Sequence, residues 1–253
     1  MVFDARSAWV MRPHPKEGAE RRLLCFPYAG GGVATYRSWA QELPDSVEVW
    51  AIQLPGRDKR RSEPPFERLG PLVRALADEV APPPAPPFAL FGHSMGALVA
   101  FEFARELRRR GAALPFHLIV SGRPAPHILA REPSGHLMTD AQLIDRLRAD
   151  NGTPESVLQE PEFVSLFLPI IRADFAVSEA ECFVAEEPLS CPISAFGGLS
   201  DPRATAAEID AWREHTSAAF SRELFPGGHF FLDSARGALL RAVADRLRAR
   251  DAT

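Results

Sequence analysis

The sequence predicts an α/β fold in which a mostly parallel sheet is covered by helices on both faces. Two features lead to it. Apolar runs of strand length alternate with stretches of helical periodicity, and a glycine-flanked serine stands where one such run meets a helix. Strands that alternate with helices must be joined by crossovers, so they run parallel and are buried on both faces. The strand runs are 22–26, 47–54, 88–91, 116–121, 192–196 and 222–225. The helical stretches are 36–43, 69–80, 97–110, 204–216 and 235–248. Within 97–110, Ala97, Ala100, Phe101, Ala104 and Leu107 recur at helical spacing. That gives a small-residue face able to lie close on the sheet, with Arg105, Arg108 and Arg109 turned to water. Residues 81–87, Ala-Pro-Pro-Pro-Ala-Pro-Pro, read as a stiff polyproline-type connector into the strand at 88.

Bulk properties bound the rest. A chain of 253 residues can bury a full core, and a single domain spanning 1–253 is expected. Hydrophobic residues at 46% and charged ones at 25% describe a globular chain. Residues 1–22 contain no apolar stretch of signal-peptide length, and no segment reaches the roughly 18 apolar residues of a membrane helix. A cytoplasmic protein, monomeric and without a membrane partner, is the expectation. A net charge of −4 argues against nucleic acid as a general partner. Cys25, Cys182 and Cys191 lack metal-ligand spacing, and the strand-like surroundings of Cys25 and Cys191 predict buried, reduced thiols.

One segment breaks the alternation. No strand-like run occurs between Gly122 and Cys191, where a helical insertion at about 123–188 is expected. Thr139-Asp-Ala-Gln142 has the form of a capping box, followed by Leu143, Ile144 and Leu147 on one face and Asn151-Gly152 as a stop. Thr153-Pro154 restarts a short helix, and Glu160-Pro161 starts another. The last carries Phe163, Val164, Leu166, Phe167, Leu168, Ile170, Ile171 and Phe175, apolar on more than one face. Such an insertion suits a lid over an active site, with a small core of its own.

The serine is Ser94, in Gly92-His93-Ser94-Met95-Gly96. This is the G-x-S-x-G pattern, in which a strained strand-to-helix turn exposes a nucleophile. A serine hydroxyl needs an adjacent base, and the base needs an orienting acid; in chain order these are Ser, Asp or Glu, His. Two histidines lie late enough. His215 falls in a polar helical pattern and reads as solvated surface, whereas His229, after Gly227-Gly228, can be carried back over the sheet by a sharp loop. The acid belongs on the loop after the preceding strand, where Gly197-Gly-Leu-Ser-Asp201-Pro202 supplies Asp201. Asp201 could instead merely cap a helix starting near Pro202. Asp174, Asp210 and Asp233 are weaker rivals, in the insertion, in a helix, and beside His229. His93 should point away from the nucleophile and serve packing.

An oxyanion needs two backbone N–H donors: one from Met95, after the nucleophile, and one from the loop after an early strand. Pro27-Tyr28-Ala29-Gly30-Gly31-Gly32 suits the second role. A phosphate-binding loop is excluded there, because no Gly-Lys-Ser/Thr follows. Neither HExxH nor a Cys/His cluster points to a metal.

Taken together, Cys25-Phe-Pro-Tyr-Ala-Gly-Gly-Gly32, Gln53-Leu-Pro-Gly-Arg57, Gly92-His-Ser-Met-Gly-Ala97, Gly197-Gly-Leu-Ser-Asp201 and Gly227-Gly-His-Phe-Phe231 resemble the type II thioesterases. These are stand-alone editing hydrolases of polyketide and nonribosomal peptide synthases. The resemblance runs from about residue 20 to 245, with its blocks in matching order. It implies an α/β-hydrolase fold, Ser94 as nucleophile, His229 as base, Asp201 as acid, and the N–H groups of Ala29 and Met95 as oxyanion donors. It also implies removal of aberrant or stalled acyl groups from the phosphopantetheine arm of acyl or peptidyl carrier proteins, with no cofactor or metal of the enzyme's own. A general carboxylesterase or lipase, an acyltransferase, and a non-catalytic acyl binder are the alternatives. Carrier proteins are typically acidic, so the basic clusters Arg57, Lys59, Arg60, Arg61 and Arg108 to Arg110 are candidate docking surfaces.

Overall fold

The computed structural model describes residues 8–80, 86–128, 134–150, 152–179 and 183–248. Asn151, Cys182 and most of the proline connector (81–85) lie outside the described residues. The strands are β1 (Val10–Met11), β2 (Arg21–Phe26), β3 (Val47–Ile52), β4 (Phe88–His93), β5 (His117–Ser121), β6 (Ile193–Gly198) and β7 (Phe220–Phe225). They form a 7-stranded sheet in the order β1-β3-β2-β4-β5-β6-β7. β1 pairs antiparallel with β3, and the other pairs are parallel. Each of the six predicted runs is a strand. The edge strand β1 was not legible, because two residues are too few to show alternation.

The sheet is buried on both faces, as parallel sheets are. Successive side chains of one strand serve opposite cores. In β2, Leu24 and Phe26 enter one core while Leu23 and Cys25 enter the other; in β4, Phe88 and Leu90 are opposed to Ala89 and Phe91. The first core is closed by α2 (Leu69–Val80) and α3 (Met95–Arg109), the second by α1 (Trp39–Glu42) and α9 (Arg236–Arg248). The small face of α3 is buried as expected, which brings its backbone down onto β4. Arg105 departs from expectation. It is buried, paired with Glu102 and Glu186, and lies over Phe101 and Phe183. Its carboxylate partner arrives from sequence 81 positions away, which no helical pattern could reveal.

Between β5 and β6 come α4 (Asp140–Asp150), α5 (Glu155–Leu158) and α6 (Pro161–Glu179). The capping box is present: Gln142 N–H donates to Thr139 Oγ1 and Thr139 N–H donates to Gln142 Oε1. Leu143, Leu147, Leu158, Leu168, Ile171 and Phe175 form a separate cluster, the small core expected of this insertion. Pro169 lies inside α6. It has no N–H, so one carbonyl a turn earlier loses its helical partner. Before Pro169 the helix exposes Leu166 and Phe167; after it, Ile171, Ala173, Asp174, Phe175 and Val177 are buried. Cys25 and Cys191 are free and buried, and burial pushes both thiols up, Cys191 to about 11. Among the described residues no helix is long and apolar enough to cross a membrane.

Candidate active site

Three loops at the carboxyl ends of the strands carry Ser94, Asp201 and His229. In the first, β4 turns into α3 at Ser94, whose backbone sits at φ 54 and ψ −116. That conformation is strained for a side chain other than glycine and persists only where the surroundings enforce it. Here Ser94 N–H donates to Ser121 O at 2.8 Å, tying the turn to β5. The neighbouring glycines are obligatory by space. A Cβ on Gly92 would stand 2.0 Å from Gly96 O, and one on Gly96 would stand 2.2 Å from Phe26 O. Met95 begins α3, so its N–H has no intrahelical acceptor.

The second and third loops are joined by backbone. Leu199 N–H donates to Phe225 O at 2.8 Å and Ser200 N–H to Gly227 O at 2.9 Å. Gly198 leaves room for this approach, since a Cβ there would lie 2.4 Å from Gly228 O. The result is that His229 Nδ1 and Asp201 Oδ2 are 2.9 Å apart, with both residues buried. Asp201 Oδ1 accepts Arg203 N–H at 2.9 Å, so the carboxylate is fixed at both oxygens. Capping of α7 (Ala206–Asp210) falls instead to Thr205, in a capping box with Glu208. The rival acids are engaged elsewhere: Asp174 with Arg57, and Asp210 with Arg213 and Arg222. Burial, its largest influence, raises the Asp233 carboxyl.

Ser94, His229, Tyr28, Ala29 and Gly30 line one cavity of about 830 Å³. Its other wall belongs to the insertion, with Leu147, Phe167, Ile171 and Phe175. Charged groups also reach it, chiefly Arg123, Arg146, Asp150, Glu179 and Arg203. They are largely spoken for: Arg146 pairs with Glu179 at 2.8 Å, Arg203 pairs with Asp150, and Arg123 donates to the Ser178 hydroxyl at 2.7 Å. Burial lowers the Arg123 guanidinium to about 10. The site is thus a slot of mixed apolar and charged lining, with Ser94 and His229 on its wall and Asp201 behind the imidazole.

His93 behaves as a packing residue. It is fully buried, its Nδ1 lies 3.0 Å from Ser121 Oγ, and its ring is 5.1 Å from that of His229. Burial, then the neighbouring His229, holds it well below the ordinary imidazole range, so it stays neutral beneath the base.

Other expectations fail. His215 is not solvated but buried, 2.8 Å from His127 and packed against Phe101, Phe183 and Trp212. The 204–216 stretch is a short helix followed by a 3-10 turn, Ala211–His215, which rotates the imidazole inward. The first basic cluster is half interior. Arg57 is buried against Asp174, and Arg60 lies 3.8 Å over the Trp9 ring with Glu63 as its partner. Lys59 and Arg61 stay exposed. Arg108, Arg109 and Arg110 are neutralised by Glu186, Glu106 and Asp78. Neither cluster is the uncompensated basic patch that charge counting along the sequence suggests.

Comparison with known proteins adds identity to this geometry. A family model described as a thioesterase domain matches residues 21–247. The gramicidin S biosynthesis protein GrsT of Aneurinibacillus migulanus is 43% identical over 249 residues, 98% of this chain and 97% of that protein. Among solved structures, the type II thioesterase BorB from the borrelidin biosynthetic cluster superposes with a TM-score of 0.88 at 39% identity, over 97% of this chain and 100% of that one. RedJ, a thioesterase of the prodiginine pathway in Streptomyces coelicolor, superposes with a TM-score of 0.83 at 40% identity, over 95% and 93% of the two chains.

Proposed function

The chain belongs to the thioesterase domain family, has the α/β-hydrolase fold and is a hydrolase acting on thioesters; from that premise we propose that it frees acyl groups from the phosphopantetheine arm of acyl or peptidyl carrier proteins, editing a polyketide or nonribosomal peptide synthase. The roles are carried by Ser94 as nucleophile, His229 as base and then acid, and Asp201 as the group that orients the imidazole. The observation that supports them most is the 2.9 Å contact between His229 Nδ1 and Asp201 at the cavity that Ser94 lines. With Nδ1–H donating to the carboxylate, Nε2 is left as the proton acceptor.

Ser94 Oγ attacks the thioester carbonyl as its proton passes to His229. The oxyanion is received by the N–H groups of Ala29 and Met95. Collapse breaks the C–S bond, and the imidazolium returns its proton to the departing sulfur. Water, deprotonated by the same imidazole, then attacks the acyl-enzyme and releases the acid and Ser94. In this reading residues 1–253 are one domain, the helices within about 123–188 are its lid, and a cytoplasmic monomer needs no cofactor or metal of its own, since the substrate brings the phosphopantetheine.

An intact-mass assay over a panel of acyl-loaded carrier proteins tests the reading. Deacylation is expected with the parent chain, while Ser94→Ala should lose roughly 10⁴-fold or more in turnover, as removal of a triad member does. Near-parental turnover by that variant on an acyl-pantetheine would refute the nucleophile assignment. Faster cleavage of oxoesters than of thioesters of the same acyl length would favour a carboxylesterase, and an acylated alcohol or amine as product an acyltransferase.

A further inference from the structure

The buried pair Arg57 and Asp174 has no part in the chemistry just described, yet it grips the loop that supplies an oxyanion donor. Asp174 lies in the docked half of α6. Arg57 donates to both its carboxylate oxygens, Nη1 to Oδ2 at 2.8 Å and Nη2 to Oδ1 at 2.7 Å. The side chains are only 7% and 4% exposed, so the pair is held in a low-dielectric interior. Two further bonds reach the loop. Gly30 N–H donates to Asp174 Oδ2 at 2.8 Å, and Arg57 Nη1 donates to Gly31 O at 2.8 Å.

The geometry of the peptide units shows what this grip fixes. Gly31 N–H donates to Tyr28 O at 2.8 Å, closing a tight turn over Ala29 and Gly30. Tyr28 C=O and Ala29 N–H belong to one planar trans unit, so holding that carbonyl inward aims the N–H the opposite way. Gly30 adopts φ 75, and a Cβ there would stand 2.9 Å from Ile171 Cγ1 of α6. The turn is therefore shaped by a carboxylate and a methylene of the helical insertion as well as by its own strand.

We propose that Asp174, held by Arg57, is a positioning residue that aims the Ala29 N–H, so that α6 in its docked state completes the oxyanion hole. The inference rests on the reading of Ala29 as an oxyanion donor. It makes the insertion part of the catalytic apparatus: displacement of the docked half of α6 removes the acceptor of Gly30 N–H and strands the Arg57 charge.

The test separates folding from catalysis. Arg57→Met alone should lower Tm, because it leaves a buried carboxylate unpaired. Adding Asp174→Leu removes both charges and should restore most of the loss in Tm. Turnover of a small acyl-pantetheine by the double variant should nevertheless stay roughly 10- to 100-fold down, less than or equal to the loss of an oxyanion donor, with KM within about twofold. Affinity for an acyl trifluoromethyl ketone, which mimics the tetrahedral state, should fall by the same factor as kcat/KM. A folded double variant with parental kcat and parental ketone affinity would overturn the proposal. Should the double variant fail to fold, Asp174→Asn serves: it removes the charge and, whichever way its amide is turned, sets its NH2 against a donor, either Arg57 Nη2–H or Gly30 N–H. The grip is then broken on one side, the same split is expected, and parental kcat again overturns it. If Ser94→Ala is inactive while either variant keeps parental kcat, the positioning role alone is lost; an active Ser94→Ala removes the nucleophile reading itself.

Discussion

Ser94 stores backbone strain at φ 54, and the two glycines beside it let that strain be borne. At both, the missing Cβ faces backbone rather than a side chain that can turn away: at Gly92 the carbonyl of Gly96, and at Gly96 the rigid carbonyls of Phe26 and Pro27. Gly96→Ala should therefore destabilise the fold by about 3 kcal/mol or more, as buried steric strain does. The urea midpoint measures this, and a shift equivalent to less than about 0.5 kcal/mol would show that the elbow has slack. Residues of this kind were readable before the structure. Ser94, Asp201 and His229 each carry a local signature: a glycine bracket, a strand-end Asp-Pro, a glycine pair. Arg57 and Asp174 carry none, because their meaning lies in a contact across 117 positions. Arg57 stands in one of the blocks that carry the family resemblance, yet an arginine in a basic run looks solvated until its partner is known.

The helical insertion is the element where periodicity was informative about local structure and silent about attachment. Its capping box, its proline restarts and its own small core were all anticipated. What could not be read is how α6 is held on either side of Pro169. The second half is tied down twice, one helical turn apart, by Asp174 to Arg57 and by Ser178 to Arg123. Both halves reach the small cluster with α4 and α5, the first through Leu168 and the second through Ile171 and Phe175. Leu143→Ala should accordingly loosen that cluster without melting the sheet, at a local cost of about 2–5 kcal/mol. Hydrogen exchange would register faster exchange in α4 and along α6, with β4 and β5 unchanged. Uniform acceleration across the sheet would mean that the insertion is not an independent unit.

At the scale of the whole molecule, acid sensitivity follows from histidines sealed in the core. Burial lowers His117 and His215 to about 4, well below the roughly 6.5 of an imidazole in an unfolded chain. For a depressed imidazole the unfolded state takes up the proton first. Each group is therefore neutral in both states above about pH 6.5, and its contribution to stability is lost as pH falls from there to about 4. The slope across that window approaches about 1.4 kcal/mol per pH unit for each histidine. His117→Gln should flatten the measured dependence of unfolding free energy on pH between 6.5 and 4; an unchanged slope would exclude that histidine as a cause. The overall architecture was legible because alternating strands and helices admit few arrangements. The edge strand β1, the inward turn of His215 and the burial of Arg105 were not, since each depends on partners distant in the chain.

Cleaving a thioester liberates a free sulfhydryl beside the enzyme at every turnover. An accessible cysteine would be open to mixed-disulfide exchange with that leaving group whenever conditions turned oxidising. Cys25 and Cys191 are shielded from this twice, by lack of access and by suppression of the thiolate that exchange requires. At these two positions the sulfur chemistry of the reaction stays with the substrate, and the catalyst keeps its own thiols out of it.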